Sequence, residues 1–94
     1  MGLFDTEDKI DYNWLIDNGF RFLNSHLYDV HILTKILRAR NPFVYINISF
    51  MTFEAVLYWW DTGNKHTLYM GVITDRTQMS SIIHKYSQEN FSIN

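Results

Sequence analysis

The period of the hydrophobic positions changes along this chain, and each change marks an element. Across residues 43–50, Val44, Ile46, Ile48 and Phe50 alternate with Tyr45, Asn47 and Ser49. That period of two describes a strand with one apolar and one more polar face. Residues 53–60 repeat it, with Phe53, Ala55, Leu57 and Trp59 against Glu54, Val56, Tyr58 and Trp60. Residues 61–65, Asp-Thr-Gly-Asn-Lys, are turn chemistry, because Gly and Asn tolerate positive φ, and residues 67–73 read as the return strand. Pro42 suits the turn or first position before the strand at 43, where its missing N–H does no harm.

Helical spacing governs both ends. Residues 6–18 read as a first helix, with Asp5 or Thr6 as cap and Ile10 and Trp14 on one face beside Leu15. Its stop is written in Asn18-Gly19, a C-cap followed by a residue free to take positive φ. Leu15 and Phe20 then occupy the two positions whose side chains meet in a Schellman ending. Asp75 opens a last helix, Gln78 is placed to reach back as in a capping box, and Met79, Ile82, Ile83 and Tyr86 form the apolar stripe. Residues 87–94 are polar apart from Phe91 and Ile93.

Residues 20–23 suit a short strand, ended by Asn24-Ser25. Residues 27–40 admit two readings. As a helix, Asp29 is the cap, Val30, Leu33 and Leu37 share a face, and Lys35, Arg38 and Arg40 gather near the end. As a strand, β-branched side chains at 30, 32, 34 and 36 all point one way, which suits a pleated surface. The strand is preferred. The expected fold is α+β: an N-terminal helix, an antiparallel meander of about four strands and a C-terminal helix, in one domain spanning residues 1–94. The helices cover one sheet face over a core of Trp14, Leu15, Ile46, Ile48, Leu57, Ile82 and Ile83. The other face is expected to carry Tyr45, Asn47, Ser49, Glu54, Tyr58, Trp60 and Tyr69, more aromatic than solvation alone requires.

Composition sharpens this picture. Aromatic residues make up 17% of the 94, and each buried ring removes roughly 150–250 Å² from water, so surplus rings serve either the core or a contact surface. The chain has no cysteine, which removes disulfides, thiolate ligands and Cys nucleophiles and fits a reducing compartment. No apolar run reaches 18 residues, and no secretory leader pattern is present, so neither a membrane span nor export is expected. Net charge is −2, with five carboxylates against Lys9 in residues 1–17 and a weak excess of +2 beyond.

Motifs that would carry chemistry find little support. Asp61-Thr62-Gly63 matches the aspartic-protease tripeptide, but such a dyad needs a glycine-rich flap and a supporting downstream strand, and of the 31 residues after Gly63 roughly a dozen read as helix; the tripeptide also suits a hairpin turn. Met1-Gly2 through Thr6 fits the loose acylation pattern among acidic neighbours that supply no second membrane signal. His26, Asp29 and His31 are the nearest approach to a metal-ligand set, with His66 and His84 isolated. The four glycines form no phosphate loop. No catalytic residue, cofactor or metal is assigned, and the chain is read as a non-enzyme. Tyr45, Tyr58, Trp60 and Tyr69 are the candidate binding surface, with Lys35, Arg38, Arg40 and Lys65 as basic neighbours. The expected partner is another protein or a second copy in a homodimer. The alternative is single-stranded nucleic acid stacked on the same rings, for which the charge is thin.

Trp14-Leu15-Ile16-Asp17-Asn18-Gly19-Phe20, followed by a meander and one closing helix, resembles the outline of small uncharacterised bacteriophage proteins. That resemblance implies a small accessory protein in a bacterial cytoplasm that binds and blocks a host factor. It transfers no functional residue.

Overall fold

The fold is built outward from two central strands. The computed structural model describes residues 8–22 and 31–87. Phe43–Ser49 (β2) and Glu54–Asp61 (β3) pair antiparallel with Ile46 opposite Leu57, Ile48 opposite Ala55 and Val44 opposite Trp59. Ile32–Arg38 (β1) adds outside β2, and Asn64–Val72 (β4) outside β3, giving a sheet in the order β1-β2-β3-β4. Two helices complete the described chain: Tyr12–Asp17 (α1) before the sheet and Arg76–Tyr86 (α2) after it. The molecule is therefore α+β, with an antiparallel meander between two helices.

Both helices lie on one sheet face. Leu15 of α1 and Met79 of α2 join Leu33, Val44, Ile46, Ile48, Ala55 and Leu57 in a single buried cluster with Ile10, Phe20 and Ile73. Trp14, Ile82, Ile83 and Tyr86 pack against it while partly exposed. The expected core thus holds, except that Met79, Phe20 and Leu33 lie deeper than Trp14, Ile82 and Ile83. The strand reading of residues 27–40 holds over Ile32–Arg38, and its β-branched series Ile32, Thr34 and Ile36 points away from the helices, leaving Leu33 to the core.

The end of α1 follows from Asn18-Gly19. Gly19 has φ +92°, its N–H bonds the Ile16 carbonyl at 3.1 Å, and the Phe20 N–H bonds the Leu15 carbonyl at 3.0 Å. This is the Schellman pair of bonds, and Leu15 and Phe20 are both fully buried. The beginning differs from expectation. Asp11, not Asp5 or Thr6, caps the helix by accepting from the Trp14 N–H at 2.8 Å; residues 5 and 6 lie outside the described residues. Residues 9 and 10 instead run beside the start of the last helix, where Lys9 bridges Asp75 and the Ile10 N–H bonds the Thr74 carbonyl at 2.8 Å. Pairing with a segment more than sixty residues away outweighs the local helix signal.

The short strand expected at 20–23 is a two-bond bridge between Arg21 and Thr34, which closes the outer edge of β1. Asp75 caps α2 through the Thr77 N–H at 2.8 Å, but the Gln78 side chain does not reach back; it donates to the Tyr69 hydroxyl at 3.4 Å. Thr62 and Gly63, with Gly63 at φ +80°, form the loop between β3 and β4, where Asp61 and Asn64 pair. The protease-like tripeptide is thus a tight hairpin.

Two substitutions test this packing. Ile46→Ala, at a fully buried position, is expected to cost on the order of 2–5 kcal/mol, whereas Ile36→Ala on the opposite face costs under about 1 kcal/mol. Equal shifts of the two urea midpoints would invert the face assignment. Gly19→Ala is expected to destabilise by about 1 kcal/mol, since the added Cβ meets only the movable end of Lys35 but the positive φ disfavours any L side chain. A neutral urea midpoint would show that α1 ends elsewhere.

Candidate functional site

With both helices on one side, the opposite face of the sheet carries five of the exposed large apolar side chains among the described residues. Residues on it alternate with the buried ones: Ile36 on β1, Phe43 and Tyr45 on β2, Val56, Tyr58 and Trp60 on β3, Met70 and Val72 on β4. The relative exposures are 56% for Ile36, 36% for Phe43, 46% for Trp60, 72% for Met70 and 58% for Val72. Register places the rings side by side. Tyr45 and Tyr58 are direct cross-strand partners with centroids 5.2 Å apart, and Phe43 and Trp60 are partners at 5.6 Å. Cross-strand aromatic pairs of this kind hold each other's rotamers and present a stiff surface. Lys65, paired with Trp60, lays its Nζ 4.1 Å from the centre of the Tyr58 ring, within cation–π range. Glu54 stands at the far end of the same face.

Three of the four rings expected on this surface, Tyr45, Tyr58 and Trp60, are on it. Tyr69 is not. Between Leu57 and Tyr58 the β3–β4 register shifts by one residue, so Thr67 still faces outward but Tyr69 opposes Leu57 and packs against the core. A bulge reverses the parity of everything beyond it, which brings Met70 and Val72 to the open face instead. Simple alternation from Thr67 could not have found them; the bulge has no distinctive residue signal.

The basic residues separate in the same way. Lys65 belongs to the open face. Lys35 faces the helix side opposite Ile46, with its Nζ close against Gly19 at the carbonyl end of α1, where a cation is favoured. Arg38 and Arg40 line a hollow with Leu37 and Ser87 at the end of α2, reached through a second register shift between Ile36 and Arg38. Of the expected basic residues, Lys65 meets an expected ring, lying over Tyr58.

A second cluster ties the chain's start to α2. The Arg76 Nε donates to the Lys9 carbonyl at 2.6 Å, its guanidinium lies 3.8 Å from the Asp11 carboxylate, and its centre sits 5.9 Å from the Trp14 ring centre. Thr77 Oγ1 donates to Asp8 at 3.1 Å. A hydrogen bond between the Asp8 and Asp75 carboxyls raises the Asp8 pKa above its ordinary value, with desolvation adding to it. The same bond, with that from the Thr77 N–H, lowers Asp75. A shallow hollow of about 420 Å³ beside this cluster is lined by Trp14, Arg76, Thr77, Ser80, Ser81 and His84, but its cation is already engaged by Lys9 and Asp11.

His26 and Asp29 of the metal-ligand set lie outside the described residues, and His31 Nδ1 is 3.3 Å from Ser49 Oγ. Among the described residues no three His, Cys, Asp or Glu side chains gather to hold a metal, and no helix is long and apolar enough to cross a membrane. Met1 to Thr6 also lie outside the described residues. Comparison with protein-family models, with curated proteins and with solved structures finds no match.

The carboxyl pair makes a signed prediction. The contribution of Asp75, whose folded pKa is depressed, is present above its unfolded pKa of about 3.8 and is lost as pH falls through the lower folded value. That of Asp8, whose folded pKa is raised, is complete below about 3.8 and is lost as pH rises through the higher folded value. The pair is thus best satisfied with one proton, between the two folded values. Asp8→Asn keeps a donor toward Asp75 without the second charge. It is expected to be no less stable than wild type at pH 7, its advantage shrinking toward pH 4. Parallel urea-midpoint curves for the two proteins from pH 3 to 7 would show that the carboxyls do not share a proton.

Proposed function

We propose that this protein is a non-enzymatic binding module whose open sheet face docks on another protein, a second copy included. The observation that carries the reading is the set of exposed side chains Ile36, Phe43, Trp60, Met70 and Val72, with the half-buried rings of Tyr45 and Tyr58 between them, on one side of a two-layer fold. Large apolar patches mark contact surfaces, and Trp, Tyr and Met are favoured at interfaces. The resemblance to small phage proteins extends the reading to a bacterial host protein whose action the docking blocks. Nucleic acid, the other occupant considered for these rings, calls for cations along the platform to meet the phosphates. Lys65 alone stands there, while Lys35, Arg38 and Arg40 serve the helix side.

Two measurements test this. A photo-crosslinking side chain at position 45 or 70 is expected to yield a defined protein adduct in cell extract, abolished by Trp60→Glu, whereas one at position 80 on the helix side yields none. Adducts from position 80 alone would move the interface to the other side of the molecule. Titration of the tryptophan emission, which Trp60 shares with Trp14 and Trp59, with oligothymidine at low salt is expected to leave the spectrum unchanged. Quenching that weakens steeply with salt would establish the nucleic-acid reading in its place.

A further inference from the structure

We infer that the open face is occupied by a second copy of this chain, the two sheets stacking face to face with their strands antiparallel. The inference rests on the reading of that face as a docking surface and names its partner. Its ground is the placement of charge. On the four strands of this face the only charged side chains are Glu54 and Lys65. Glu54 opens β3, opposite Val72, whereas Lys65 lies opposite Trp60, six positions further along the same strand. At about 3.3 Å per residue that is about 20 Å, too far for a bond within one chain.

A two-fold axis in the plane of the face, crossing the strands midway between these ends, reverses the direction of one sheet over the other. Each Glu54 then stands over the Lys65 end of its partner, so both charges meet an opposite charge and neither is left in an apolar contact. An axis along the strands would instead lay like ends together and pair neither. The same crossing puts the Trp60 ring of each copy over the Val72 and Met70 end of the other. Tyr45 and Tyr58, near the middle, meet their own counterparts. A closed isologous contact needs such self-complementarity, with every anchor matched to a receptor on the same patch.

Area sets the strength. Four strands about 4.8 Å apart, of seven to nine residues each, cover about 19 by 23–30 Å. A standard interface buries about 800 Å² of accessible surface per partner, so a face of this footprint, even with protruding rings, stands at the small end. The dimer is accordingly reversible, forming at micromolar concentration, and its two sheets pack in the aligned manner about 10 Å apart.

A charge-swap cycle read by sedimentation equilibrium decides the question. Wild type is expected to pass from monomer to dimer across the micromolar range. Glu54→Lys and Lys65→Glu, both at exposed positions, should each raise the dimer Kd by about tenfold or more, because like charges then face each other twice across the axis. The double variant should return to within about threefold of wild type, and Trp60→Glu should be monomeric throughout. Urea midpoints near wild type establish that each variant folds. A dimer that survives Trp60→Glu, or a double variant no better than its singles, overturns the stacking. A wild type that stays monomeric to several hundred micromolar removes the second copy as occupant. In that case adducts from positions 45 and 70 with a foreign protein would leave the docking surface itself standing.

Discussion

Everything in this molecule hangs on the burial of one face of the β2–β3 pair. Val44, Ile46 and Ile48 are wholly buried, and Leu57 and Ala55 oppose the last two across the ladder. An antiparallel pair can hide one face only if something packs on it, and the described helices available for the task are six and eleven residues long. Both are needed on the same side to cover four strands. Nothing of the described chain is left over for the second face, so the apolar groups there follow from how little helix the described residues have.

The same constraint explains why so much of the remaining hydrogen bonding serves to anchor the helices. A six-residue helix has no stability of its own. α1 persists because Asp11 caps one end, Gly19 turns the other, and Leu15 and Phe20 drive the turn into the core. Arg21 adds a clamp, its Nη1 donating to the Ile16 and Phe20 carbonyls at 2.9 and 2.7 Å. Arg76 and the Asp8–Thr77 bond then fasten the segment before α1 to the first turn of α2, so that the two helices are positioned as one unit.

What could be read directly from the chain was whatever depends on neighbours in sequence. The Schellman ending is a matter of six consecutive residues, and the faces of β2 and β3 follow from alternation within a strand. Hence Leu15, Phe20, Ile46, Leu57, Tyr45, Tyr58 and Trp60 could be placed without the fold. The bridge at Lys9 could not, because its partner Asp75 is remote and Asp5 to Asp11 imitate a helix start. Nor could Tyr69 or Arg38. Each lies just beyond a register shift, where one additional residue reverses the face, and neither shift is marked by a glycine at the bulge. The expected face placement therefore holds along β2 and β3 and fails at the outer strand, where Met70 and Val72 take the place of Tyr69.

Those register shifts also bear on how the molecule meets a partner. A sheet can be recognised through the hydrogen-bonding groups of an edge or through the side chains of a face. The edge of β1 is closed by the paired bonds of Arg21 with Thr34, both 2.8 Å. The edge of β4 has no strand beside it among the described residues, but the bulge at Leu68 breaks its repeat and Lys65 places a charge near its start. Bulges and lysines are the devices by which exposed edges avoid pairing with another chain. Among the described residues the face carries no comparable guard: the two charges on its strands stand at opposite ends, and between them lie paired rings and a methionine. Under the proposed reading, recognition by this sheet is a matter of side-chain shape rather than backbone ladder, which calls for a partner surface that is flat, apolar and weakly charged.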